Sequence, residues 1–213
     1  MESIPRTARQ RLVTEAARLF AERGYAATSV ADIQQACGLT SGSGALYKHF
    51  PSKRALLEEV IGVHLSTMRE GNELFLGQVP DDLEQALRFL ADAMWASMRR
   101  DRDILRVTLR DLDDFPDLLD RVWTELKANV YDAFAGWLAS QADRGTVHVD
   151  DPEASAAVLL SSLTYPAILN TLIGHTPGDL DAARYRAAWI QHAISSLTSH
   201  RDSDRRIREP PPG

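Results

Sequence analysis

The 213-residue sequence predicts an all-α fold of about nine helices, and three observations carry that reading. Apolar residues recur at i, i+3, i+4 and i+7 along most of the chain. No stretch alternates cleanly with the strand period of two. Single glycines and prolines fall where the periodic segments stop, which is where helix caps and breaks belong.

Val13, Ala16, Ala17 and Phe20 make the inner face of a first helix, which Gly24 can end in the left-handed conformation. Thr28 or Ser29 caps a second helix of barely two turns, with Val30, Ile33 and Cys37 inward and Gly38 as its stop. The polar SGSG at 41–44 leads to a third short unit over 45–50, where Leu46 and Phe50 share a face and Pro51 ends it. Ser52 caps a fourth helix whose stripe is Leu57, Val60, Ile61, His64, Leu65 and Met68, extending toward Leu76.

Asp81 with Glu84 has capping-box spacing and opens a fifth helix on Leu83, Leu87, Leu90, Met94 and Met98. A sixth covers 103–113, and Pro116 separates it from a seventh that runs through Leu119, Val122, Leu126, Val130, Ala133 and Trp137 toward Gly145. Asp151 as N-cap and Pro152 at the first helical position start the eighth. Pro166 falls inside it, where it must remove one backbone bond and bend the helix. Asp181 begins the ninth, built on Ile190, Ala193, Ile194 and Leu197, and the tail at 201–213 has no apolar period and reads as disordered.

Hydrophobic residues make up 44% and charged residues 25%, proportions that exclude a fibrous or wholly disordered chain. Cys37 is the single cysteine, so neither an intramolecular disulfide nor a multi-cysteine zinc site can form. Its place on the inner face of the second helix makes it a small buried hydrophobe, and a reducing cytoplasm suits the composition. The opening MESIPRTARQRL has no apolar stretch of the kind a signal peptide needs. The uncharged run 154–178 is long enough to span a bilayer, but its serines, threonines, Asn170 and His175 make a buried soluble helix the better reading, with no membrane partner.

The net charge of −6 is divided unevenly. Residues 1–54 hold eight Lys/Arg against four Asp/Glu, or +4, and the remainder carries −10. A small basic module that can meet phosphates is joined to an acidic body with another task. No nucleophile elbow, phosphate-binding glycine loop or zinc signature is present, and His148 with Asp150 supplies too little for a metal, so neither an enzyme nor a cofactor is expected.

A longer helix followed by two short ones around a glycine-containing turn is the arrangement that places one helix in a major groove. The words LFAERGYAATSVADIQQACGL at 19–39 and GALYKHFPSKRALLEEV at 44–60 resemble the N-terminal domain of TetR-family transcriptional regulators, over about residues 9–62. Beyond residue 62 only the number, length and order of helices are similar. One departure is that the stretch between Leu39 and Leu46 is about two residues longer than the family's.

The resemblance implies a homodimer with a helix-turn-helix DNA-binding domain at 1–54 and a ligand-binding and dimerisation domain at 55–200. Its function would be repression, released from a palindromic double-stranded operator when a small apolar or amphipathic ligand binds. A ligand sensor with a degenerate helix-turn-helix, or an activator, stays open beside it. The DNA-facing residues it implies here are Ser29, Thr40, Ser41, Ser43, Gly44, Ala45, Tyr47, Lys48, His49 and Lys53, with phosphate contacts setting position and base contacts setting sequence. Arg6 and Arg9 form a candidate basic arm. In the body, Trp95, Met98, Tyr131, Phe134, Trp137, Tyr165 and Asn170 are the candidate ligand residues, being aromatic, flexible or polar groups among apolar faces. The eighth helix is apolar nearly all round, so Leu169, Ile173, Trp189, Ile194 and Leu197 are candidates for a dimer interface.

Overall fold

The structure, a computed structural model, describes residues 7–40, 44–176, 178 and 180–199, with side chains for all but 73–76. The N-terminal arm at Arg6, the turn residues Ser41 and Ser43, and the tail 201–213 lie outside the described residues. Every regular element within them is helical: α1 Ala8–Arg23, α2 Val30–Ala36, α3 Lys53–Leu76, α4 Leu83–Arg100, α5 Arg102–Asp111, α6 Pro116–Leu126, α7 Ala133–Asp143, α8 Pro152–Ile173 and α9 Ala182–Thr198. A 3₁₀ turn, Leu112–Asp114, follows α5, and π-helical Lys127–Asp132 joins α6 to α7 in one rod.

The third unit foreseen over 45–50 closes as a single turn instead of a regular helix. His49 and Phe50 both donate their N–H to the Leu46 carbonyl at 2.9 Å, and Pro51 follows at once. Between Gly44, whose φ is +66°, and that proline there is no room to propagate a helix.

Caps settle the other boundaries. Ser29 is the N-cap of α2, whereas Thr28 is buried, its hydroxyl donating to the carbonyls of Gly24 (2.7 Å) and Leu19 (3.2 Å). The N-cap of α4 is Asp82 and not Asp81, because Asp82 Oδ1 accepts from the Gln85 N–H at 2.9 Å. Thr7 and Gln10 close a capping box on α1 that the apolar spacing did not reveal.

Two apolar cores form. The first joins Leu12, Phe20, Ile33, Leu46 and Leu57 to Val107 of α5, Leu112 and Leu118 of α6, so its packing continues well past residue 54. The second holds Leu87 and Trp95 of α4, Leu138 of α7, Leu159 and Leu163 of α8, and Trp189 and Ile190 of α9. Among the described residues α8 alone is long and apolar enough to cross a membrane by length and composition, yet it packs on α4, α7 and α9 with Leu159, Leu160 and Leu163 buried.

Pro166 explains how α8 is held. Lacking an N–H, it cannot bond the carbonyl of Ser162 one turn back, and an unpaired carbonyl there would cost free energy. The Tyr185 hydroxyl of α9 donates to that carbonyl at 2.6 Å. The next carbonyl, of Leu163, accepts from Trp95 Nε1 of α4 at 3.1 Å, and Leu159 accepts from Trp189 Nε1 at 3.0 Å. Three aromatic donors on two neighbouring helices therefore attach to α8 around its proline.

Tyr185→Phe should lower stability by about 1–2 kcal/mol in urea denaturation, since it leaves the Ser162 carbonyl without a donor. In a Pro166→Ala background the loss should be smaller, because the restored N–H can reach the same carbonyl, and the cycle of four proteins measures that coupling.

Candidate nucleic-acid interface

The turn at 45–49 is anchored by its apolar residues and presents its polar ones. Leu46 is fully buried and Phe50 nearly so, while Tyr47 is 58% exposed and Lys48 and His49 point to solvent. Gly44 enters the turn with φ +66°, and a Cβ there would meet nothing within 4 Å, so any other residue would be strained by its backbone and not by crowding. Thr40 is exposed and Ala45 half-buried. Ser29 spends its hydroxyl on the cap of α2, accepting from the Asp32 N–H at 3.1 Å and donating to Asp32 Oδ2 at 2.6 Å. Those bonds hold the Asp32 carboxyl below its ordinary pKa. Arg9 does not reach outward as an arm: it pairs with Glu59 and lies 4.9 Å from the centre of the Phe50 ring.

Lys53 is engaged within the chain. Its ammonium donates to the carbonyls of Tyr25 and Thr28, both at 2.8 Å, and sits 4.1 Å from the Tyr25 ring centre. The loop between α1 and α2 aims these carbonyls at the start of α3, and partial burial there pushes the Lys53 pKa down. Beside it, α5 meets the end of α1. Arg110 donates to the carbonyls of Phe20 and Ala21, the second at 3.3 Å, and Asp111 accepts from the Tyr25 N–H at 3.2 Å. Gly24 has φ +94°, which disfavours any side chain, while a Cβ there would only touch the Arg110 guanidinium at 3.5 Å. None of the apolar-spacing arguments singles out Arg110 or Asp111, which resemble any charged helix end in sequence.

The body holds a cavity of about 250 Å³ between α4, the start of α5, α8 and α9. Trp95, Met98 and Asn170 line it as expected, joined by Arg99, Arg102 and Pro166. Tyr131, Phe134 and Trp137 do not: Phe134 stacks on Trp137 with ring centres 5.6 Å apart, and Tyr131 faces Trp123 at 6.1 Å, both within the packing of the α6–α7 rod. Tyr165 is 54% exposed, since its neighbour Pro166 takes the inward position. Arg99 and Arg102 were missed because they read as part of a charged run, although their phase with Trp95 and Met98 (i, i+3, i+4, i+7) was a usable signal.

Of the candidate interface residues, Ile173 is 62% exposed and Leu169 and Ile194 are half-buried, but Trp189 and Leu197 are buried in the chain's own second core. Trp189 is held there by its indole bond to α8, and the carbonyl of Leu197 accepts from the His148 N–H at 2.7 Å. Val158, Tyr165 and Leu172 join Ile173 as the exposed apolar face of α8.

A glycine-stopped short helix followed by an exposed Tyr-Lys-His turn, carried on a helical body with its own core, is the architecture of a helix-turn-helix protein. The model for "Bacterial regulatory proteins, tetR family" matches residues 12–60, and that for "AefR-like transcriptional repressor, C-terminal domain" matches residues 85–197. The chain belongs to the TetR family of transcriptional regulators. It is 32% identical over 107 residues to YerO, an uncharacterized HTH-type transcriptional regulator of Bacillus subtilis, covering 48% of this chain and 35% of that one. It is 51% identical over 53 residues to the HTH-type transcriptional repressor KstR2 of Rhodococcus jostii, 25% of either chain. The chain thus matches about a third or less of these relatives' length. The crystal structure of PfmR, a TetR-family regulator from Thermus thermophilus, superposes with a TM-score of 0.69 at 25% identity, covering 89% of this chain and 100% of that one.

Lys53→Met should destabilise the DNA-free protein by about 1–3 kcal/mol, because two carbonyls lose their donor. A lysine that served DNA alone would leave the denaturation midpoint unchanged.

Proposed function

We propose that the protein is a homodimeric cytoplasmic repressor that leaves a palindromic operator when a small molecule fills the cavity. Residues 1–54 meet the DNA in this reading and residues 55–200 hold the ligand and the partner subunit. The observation that carries it is the placement of α5. Its first residue, Arg102, lines the cavity, and its last two, Arg110 and Asp111, grip the end of α1. A helix of 10 residues is a strut of about 15 Å, and a shift at one end is delivered to the other.

On the DNA side, Tyr47, Lys48 and His49 are the contacts, with Thr40 beside them and Lys53 buttressing the loop while keeping one N–H for a phosphate. Two half-sites about 34 Å apart would match a two-fold dimer. A second reading, a sensor that no longer reads DNA, draws on the single turn found at 45–49. A gel shift with DNA flanking the protein's own gene separates them. Retardation at low salt, weakened in Lys48→Ala with a flatter dependence on salt, is the result expected of the repressor. No retardation on any adjacent palindrome would leave the sensor.

The dimer rests on the outward face of α8. Leu172→Glu with Ile173→Glu, at positions 42% and 62% exposed, should give folded monomers in sedimentation, since neither side chain is needed by the chain's own core.

A further inference from the structure

The cavity carries charge on one wall only. Trp95, Met98, Arg99 and Arg102 stand on one face across the junction of α4 and α5, opposite Pro166 and Ala167 of α8. Of the other polar side chains in its lining, Asn170 adds a neutral amide, and the rest are occupied. Trp95 Nε1 donates to the Leu163 carbonyl and so offers the cavity only its ring. The hydroxyls of Thr171 and Thr176 donate to the carbonyls of Ala167 (2.8 Å) and Leu180 (3.1 Å).

The two guanidiniums differ from their neighbours. Arg100 donates to Asp101 and Ser97, and Arg186, over the Trp95 ring, pairs with Asp92 at 3.0 Å. Arg99 and Arg102 have no carboxylate partner among the described residues. Two unpaired planar forks beside an apolar cavity are complementary to an anion with an apolar body. A cavity of about 250 Å³ has room for a small molecule.

We propose that the ligand is a small amphipathic carboxylic acid, its carboxylate held between Arg99 and Arg102 and its apolar body against Trp95, Met98 and Pro166. This inference rests on the reading of the cavity as the effector site.

The test is calorimetric titration of the DNA-free protein with octanoate and 4-phenylbutyrate, each beside its uncharged alcohol, 1-octanol or 4-phenyl-1-butanol. At least one acid should bind ten times or more tighter than its alcohol. Arg99→Gln and Arg102→Gln should each weaken that acid about tenfold and leave the alcohol unchanged, and Arg88→Gln, about 16 Å back along α4 and paired to Glu84, should change nothing. Failure of both acids to bind, equal affinity of acid and alcohol, or equal losses for both in the variants would overturn the proposal. Because no DNA is present, the outcome is independent of operator binding. An acid that binds through both arginines without releasing DNA would uphold the carboxylate site and overturn the effector reading alone.

Discussion

Where α1 stops at Gly24, a cluster of backbone groups must find partners outside the helix, and their satisfaction joins the two halves of the chain. The carbonyls of Leu19 and Gly24 are taken by Thr28, those of Phe20 and Ala21 by Arg110, and those of Tyr25 and Thr28 by Lys53. The Tyr25 N–H goes to Asp111. Backbone groups left unpaired in a packed setting cost about as much as a lost hydrogen bond each, so the donors cannot be withdrawn singly without penalty. Lys53 comes from α3 and the Arg110–Asp111 pair from α5, and the loop that sets the pitch of α2 is thereby built by residues far away in sequence. The Tyr25 ring completes the joint, edge-on to Phe115 with ring centres 4.8 Å apart.

The position of α3 has a different origin. Two ion pairs tie it to α6, Arg54–Asp117 at 2.5 Å and Arg69–Glu125 at 2.7 Å, and their side chains are largely solvent-exposed. Exposed pairs contribute about 0–1 kcal/mol each. Leu56, Leu57, Ile61 and Leu65 are buried to within 1% of complete, and each such side chain is worth about 1.5–3 kcal/mol. Apolar packing against α1 and α6 fixes α3, and the ion pairs choose among orientations that packing already allows.

Much of this was legible in the sequence, and the failures have physical reasons. Apolar periodicity located the helices because each buries one face, and Ser52, Asp151 and Asp181 cap α3, α8 and α9 as read. Periodicity cannot rank two adjacent cap candidates, which is why Asp82 displaced Asp81. It also cannot say which partner covers an apolar face, so Trp189 and Leu197 read as interface when they are core, and Tyr165 read as cavity when it is surface. The missing N–H at Pro166 is a local fact of the sequence, and the residue lies in the cavity lining. The joint at α1 was invisible because its donors are ordinary charged residues whose meaning comes from contacts some 90 positions apart, as between Arg110 and Phe20.

The aromatic donors around Pro166 also act as a ruler. A helix sliding on its neighbour by one residue moves 1.5 Å along the axis, enough to break a hydrogen bond of 2.6 or 3.0 Å. Tyr185 and Trp189 of α9 both end on α8, one turn apart, so slippage of α9 along α8 would undo two bonds together. The pair is therefore a rigid plate with a discrete setting. In the dimer proposed above, such a plate would hold each subunit's own core in register and leave mechanical play to the strut and joint at the end of α1.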